Sequence, residues 1–309
     1  MKFPVNFLMV NRSAVLAEWT RCTRIIGLLG LLILAGLLQA CGATKVLYNQ
    51  APDFAYWYLD GQLAFTDAQS LQVKDALAKL QAWHRQNQLP GAMAVLQKLQ
   101  QQMPSDMDAR AACAPLVELQ RQWVALADQA QPAIAAVAGT LGAEQLVQLE
   151  QRFALGNAYF QSDFLEARPR DVQDRRLQQA ISRAEVLYGP LDHKQLSVIR
   201  RHIEQSHFDA RLIYAERLRR QQDLLQTLRP LIAGQASPQA TQAALHGLLD
   251  RTRHSPDPAY RRYSDKMARQ TCAVLADLHN STTAAQRRHA VQTLNGQVQD
   301  LSDLSAHTP

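Results

Sequence analysis

The sequence predicts an all-α fold, a multi-helix bundle of antiparallel helices behind an N-terminal signal segment. Three observations carry this. The long middle of the chain is rich in Ala, Leu, Gln and Arg and poor in Gly, a composition of helix formers. Apolar residues recur there at three- and four-residue spacings, the period of an amphipathic helix. A helix-opening phrase also returns four times along the chain.

Taken in order, Val73, Ala76, Leu77, Leu80 and Trp83 mark one apolar face. Pro90 predicts the start of a short helix with Val95, Leu96, Leu99 and Met103 inward, ended by Pro104. A longer helix from about Asp106 carries Leu116, Val117, Trp123 and Leu126 as its apolar residues, and a kink or stop is expected near Pro132. From Ala143, the residues Leu146, Leu149, Phe153, Phe160 and Phe164 point inward, and Pro169 bounds the next helix, which Gly189-Pro190 stops after Tyr188. Asp192 to Leu228 reads as one long helix, or as two with a break at His207 to Asp209. Ser237-Pro238 then opens a helix with Leu245, Leu248 and Leu249, and the chain closes through Met267, Val274 and Leu278, then Val291, Leu294, Val298 and Leu301.

The recurring phrase reads Phe65-Thr66-Asp67-Ala68-Gln69, Leu141-Gly142-Ala143-Glu144-Gln145, Leu191-Asp192-His193-Lys194-Gln195 and, more weakly, Thr282-Thr283-Ala284-Ala285-Gln286. It predicts a capping box: the cap side chain accepts a backbone N–H near the third helical position while Gln reaches back to the cap's own N–H. Gly142 lacks the side-chain half of that exchange.

At the N-terminus, Arg12, Arg21 and Arg24 precede the apolar run Ile25 to Leu38, then Gln39, Ala40 and Cys41. This is the order of a secretory signal, and the run is shorter than the ~20 residues that span a bilayer. The tetrad Leu38-Gln39-Ala40-Cys41 resembles the lipobox of bacterial lipoproteins, which implies cleavage after Ala40 and lipidation (palmitate among the acyl chains) of Cys41. Gly42, where an Asp would signal inner-membrane retention, favours the periplasmic face of the outer membrane. Either Met1 or Met9 serves as the start. The expected organisation is thus a signal peptide over 1–40, a lipidated tether over 41–47 and a single helical domain over 48–309. Lys2, Arg12, Arg21 and Arg24 against Glu18 account for half of the formal +6, so the mature protein loses the main support for nucleic-acid binding.

Removal of Cys22 and lipidation of Cys41 leave Cys113 and Cys272 in an oxidising compartment, as a disulfide or as two buried thiols. The aromatic cluster Tyr48, Phe54, Tyr56, Trp57, Tyr58 and Phe65 is expected to cap the helical core; the alternative is a segment resting on the bilayer.

Searching for chemistry finds no Gly-x-Ser-x-Gly elbow, phosphate loop or His-Glu-x-x-His, so common hydrolase and nucleotide signatures are missing and no cofactor is expected. His202 and His207, with Asp209 beyond, are five apart, a spacing that turns them from each other on a helix and argues against a metal. His279-Asn280 reads as a helix-end cap; with Tyr48, Trp57, Arg183 and Glu185 it is the alternative candidate for an interaction patch. Arg200, Arg201, Arg211, Arg217, Arg219 and Arg220 form a basic helix face, read as solvated, with anionic lipid binding as the alternative.

The first phrase, Phe65-Thr66-Asp67-Ala68-Gln69, resembles the Leu-Thr-x-x-Gln motif of small periplasmic chaperones and stress adaptors of the Spy and CpxP type. That resemblance implies an all-helical protein that binds unfolded clients without nucleotide, though only this copy keeps Thr with an aromatic in place of Leu and the chain is much longer. Over the mature chain the sequence is similar to a family of helical proteobacterial lipoproteins of unknown function. The similarity runs through the lipobox, Tyr48-Asn49 with Trp57 and Leu59, Thr66 with Gln69, Arg183-x-Glu185 before Tyr188-Gly189-x-Leu191, and Leu278-His279-Asn280. It departs at Tyr188, where Trp is expected, and at Gly142 and Asp192, which replace Thr. The family implies fold and location but supplies no catalytic residue. The expected function is therefore a non-enzymatic, membrane-tethered envelope protein that binds a partner, an unfolded client or a ligand between helices. The alternative is an envelope enzyme acting on cell-wall or lipid substrates with an acid/base pair such as Glu185 and His279.

Overall fold

The computed structural model describes residues 43–234 and 237–306; Cys41 and the expected signal segment lie outside the described residues. The chain divides into two units, one ending at Tyr48 and the other beginning at Asn49. Twelve α-helices and no strand make up the described residues, an all-α fold. Helix α1 (Ala43–Asn49) covers most of the expected tether. The second unit holds α2 (Ala51–Leu63), α3 (Asp67–Asn87), α4 (Leu89–Gln102), α5 (Ala109–Ala138) and α6 (Ala143–Phe160), the last continuing into a π-helical turn (Gln161–Leu165). After these come α7 (Pro169–Tyr188), α8 (His193–Glu204), α9 (Ala210–Ile232), α10 (Pro238–Arg253), α11 (Pro258–Asn280) and α12 (Ala284–Ala306).

The helix starts follow capping chemistry. Thr66, Asp108, Asp192, Asp209, Ser237 and Asp257 each accept a backbone N–H of the first helical turn they precede. At the other end of α7, Gly189 takes φ 73°, a left-handed conformation that a residue with a Cβ resists. The stretch from Asp192 is two helices, because the Asp209 carboxylate takes the N–H groups of Arg211 and Leu212 and starts α9 afresh. Helix α5, by contrast, starts at Ala109 and runs through both Pro115 and Pro132 to Ala138. Each proline removes one ladder hydrogen bond, and the long helix tolerates both.

Two apolar cores lie in the second unit. One gathers Met103, Leu177, Tyr188, Ile199, Leu278 and Leu294; the other gathers Leu141, Leu149, Leu228, Leu231, Leu245 and Leu248. Helix α4 lies along α12, and α5 along α11, where a disulfide joins Cys113 to Cys272 with Cα atoms 5.2 Å apart. Leu116, Val117 and Trp123, among the apolar residues of α5, are exposed, Trp123 by 69 %. Apolar residues are spread around α5, so periodicity alone does not single out its packed face.

The four helix-opening phrases meet in pairs. Gln69 Nε2 donates to Gln145 Oε1 at 3.1 Å and Gln145 Nε2 to Gln69 Oε1 at 2.8 Å. Each Oε1 also accepts its own cap's N–H, from Thr66 at 3.0 Å and Gly142 at 2.9 Å. Each Nε2 further donates to the carbonyl two residues before the partner's cap, Thr140 at 2.8 Å and Ala64 at 3.3 Å. Gln195 and Gln286 repeat the arrangement, with amide contacts of 2.6 and 2.9 Å and the carbonyls of Ser281 and Pro190 in the equivalent places. Two helix N-termini are thus locked head to head beside each core.

Candidate functional site

Within the second unit, Arg183, Glu185 and His279, singled out from the sequence, do not assemble into one site. His279, at the end of α11, is 1 % exposed. Its Nε2 lies 2.9 Å from the Ser105 carbonyl and its Nδ1 2.9 Å from the Tyr188 hydroxyl. A carbonyl only accepts, so Nε2 carries the proton and Nδ1 accepts from Tyr188. Burial lowers the His279 pKa and raises that of Tyr188 to about 12, which keeps both neutral. Beside it, Asn280 takes the Met107 N–H on Oδ1 and donates Nδ2 to the Met107 carbonyl, both at 2.9 Å. The expected helix-end cap is therefore a clamp on the 105–107 turn, made by the buried His279 and the exposed Asn280.

Arg183 and Glu185 are exposed on α7, so neither the patch with His279 nor the Glu185/His279 acid/base pair is formed. Tyr48 is half-buried on α1. The aromatic cluster splits: Tyr56 packs on Phe65 and donates to Ser70, whereas Phe54, Trp57 and Tyr58 form an exposed stripe on α2 rather than a core cap. His202 is engaged by Asp277 at 2.8 Å, and no group of side chains able to hold a metal occurs among the described residues.

The geometry points elsewhere, to a half-enclosed chamber of about 790 Å³ between α2, α3, α5, α6, α9 and α10. Val73, Ile134, Phe153, Leu228 and Leu245 are among the side chains that wall it, and several belong to the second core. Its lining contains no histidine, cysteine, serine or threonine; its charged members, Asp75 and Lys79, are exposed and pair with each other at 2.7 Å. Water in such a space finds few hydrogen-bond partners, and an apolar occupant releases it. The volume falls in the ~300–1,000 Å³ range of small-molecule sites.

A second cleft, of about 500 Å³, adjoins the chamber and shares Tyr58, Gln62 and Phe153 with it. Arg152, Arg217, Arg220, Glu216 and Tyr260 line it. Glu216 is its anchor: only 4 % exposed, it accepts from Arg219, from Arg220 at 2.7 Å and from Ser255 at 2.9 Å. Burial pushes its carboxyl up, but these hydrogen bonds outweigh burial and hold it at about 2. Arg217 turns to α6, where its Nε donates to Asn157 at 2.7 Å. Gly156 admits it, since a Cβ there would lie 2.6 Å from the guanidinium. The basic face of α9, expected to be solvated, thus spends Arg217, Arg219 and Arg220 on partners. Sequence reading marked these arginines and many of the apolar residues, but no local spacing reveals that helices distant in sequence leave a space between them.

No curated protein and no solved structure matches the chain. A family model covers residues 58–261, a span that contains every residue lining both cavities. The chain belongs to this family, described as a family of unknown function (DUF6279).

Proposed function

We propose that this chain is a non-enzymatic binding protein of the bacterial envelope, lipidated at Cys41, that holds an apolar ligand in the chamber between α2, α3, α5, α6, α9 and α10. The observation that carries it is the chamber itself, about 790 Å³ and walled mainly by apolar side chains. Its titratable lining side chains, Tyr58, Asp75 and Lys79, are exposed, and Asp75 and Lys79 pair with each other, which supports binding over catalysis. The location rests on the signal order and the Leu38-Gln39-Ala40-Cys41 tetrad. No helix among the described residues is long and apolar enough to cross a membrane. The exposed stripe Phe54, Trp57 and Tyr58, which follows Cys41 closely in sequence, suits the headgroup layer, where an aromatic ring with a polar handle is favoured. We assign the protein to the periplasmic face of the outer membrane on the strength of Gly42.

The test is titration of the full chain with the neutral fluorescent dye phenylnaphthylamine. Ile134, 44 % exposed at the chamber wall, can be enlarged to Trp with little strain on the core. The wild type should bind the dye saturably, and Ile134→Trp should bind it at least tenfold more weakly. Saturable binding that Ile134→Trp leaves intact would place the ligand elsewhere, and no binding at all would remove the proposal.

A further inference from the structure

We infer that the two adjoining cavities form one amphipathic site, whose ligand is a single-chain anionic phospholipid: its acyl chain in the apolar chamber and its phosphate on Arg152 and Arg217. This rests on the chamber reading above and adds to it the identity of the ligand.

The argument is one of charge beside hydrocarbon. The cleft that shares Tyr58, Gln62 and Phe153 with the chamber carries three guanidinium groups and one carboxylate. Glu216 is committed to Arg219 and Arg220, leaving two cations uncompensated. Arg217 has a neutral partner, Asn157, and Arg152 is exposed with no acidic partner among the described residues. Gly156 makes room for the Arg217 side chain across α6, so its place at the cleft is built into the packing. A guanidinium presents a planar fork of donors that matches phosphate oxygens. At about 500 Å³ the cleft has room for a headgroup larger than a bare carboxylate, which favours a phosphoglycerol head over a fatty acid. The chamber's size suits one acyl chain of a drug-sized ligand. Burial should strengthen binding about fourfold for each methylene added until the chamber is full.

The test uses the full chain in phospholipid nanodiscs, with trace probes bearing the same photoactivatable acyl chain on three heads: lysophosphatidylglycerol, neutral monoacylglycerol and free fatty acid. Labelled peptides are mapped by mass spectrometry. The inference predicts that lysophosphatidylglycerol labels the chamber-wall peptides of α5 and α10 about tenfold more than monoacylglycerol. It also predicts that Arg152→Gln with Arg217→Gln abolishes this preference while monoacylglycerol labelling and the circular dichroism spectrum stay unchanged. Equal labelling by the anionic and neutral probes would overturn the headgroup inference and leave the chamber reading standing. Stronger labelling by the fatty acid would overturn the phosphate assignment, and a preference that survives both substitutions would overturn the role of the arginines. Failure of every probe to label the chamber would remove both readings together.

Discussion

The side-chain amides of Gln195 and Gln286 close a reciprocal pair, each Nε2 donating to the other's Oε1 at 2.6 and 2.9 Å, while each Oε1 also takes the N–H of its own helix cap. Gln195 is completely buried. One side chain therefore caps its own helix, holds a second helix start and satisfies the Ser281 carbonyl. Replacing Gln195 with Ala strips partners from several buried groups at once and should cost about 2–4 kcal/mol of unfolding free energy. Urea unfolding followed by circular dichroism checks this. Gln195→Glu should be no milder at pH 7, because a carboxylate cannot donate to Ser281 and would face the Gln286 oxygen.

Glu216 sets a pH dependence with a defined sign. Its folded pKa of about 2 lies below the ordinary carboxyl value of 4.5, so the stabilisation is fully present above pH 4.5 and is lost as pH falls toward 2. The loss should be on the order of 2–3 kcal/mol. Glu216→Gln should flatten the acid limb of a stability-against-pH curve in that window and lower stability at pH 7, since Arg220 then loses its charged partner and Arg219 keeps only Asp223.

His279 acts in a different window. Burial holds its pKa below 6.5, so the unfolded chain takes up a proton before the folded one, and stability should decline as pH falls through 6.5. Tyr188→Phe removes the donor to Nδ1 and should cost about 1–2 kcal/mol at pH 7. Carbon-13 chemical shifts of the His279 ring should show the Nε2–H tautomer in the wild type.

Cys113 and Cys272 close a loop with a sequence separation of 159. Reduction should lower stability by about 2–5 kcal/mol, mainly by freeing the unfolded chain, without abolishing the helical spectrum. Non-reducing peptide mapping should find the two cysteines linked, and intact mass should rise by two hydrogens on reduction.

Much of the helical framework was legible because its signals are local. Thr66 and Asp192 with Gln three residues on, Gly189 before Pro190 and Ser237 before Pro238 each fix a helix end through contacts within a few residues. The alternative break ahead of Asp209 was legible for the same reason. What stayed hidden depends on neighbours far away in sequence. The Gln69–Gln145 pairing joins residues separated by 76 positions, and nothing beside Gln69 announces it. The exposure of Trp123 was not legible because α5 is apolar on several faces, and only packing against other helices, α11 among them, selects the buried one. His279 looked like a helix-end cap because its position is terminal, yet the carbonyl it meets belongs to Ser105. The chamber was the least legible feature, since a space is defined by what six helices fail to fill.

The most direct test of the central claim is the urea midpoint of the full chain with and without phenylnaphthylamine at a hundredfold excess over its dissociation constant. A ligand that binds the folded state alone should raise the unfolding free energy by about 2.7 kcal/mol, and Ile134→Trp, binding at least tenfold more weakly, should cut that gain to about 1.4 kcal/mol or less at the same dye concentration. An unchanged midpoint in the wild type, or an undiminished gain in Ile134→Trp, would contradict the account.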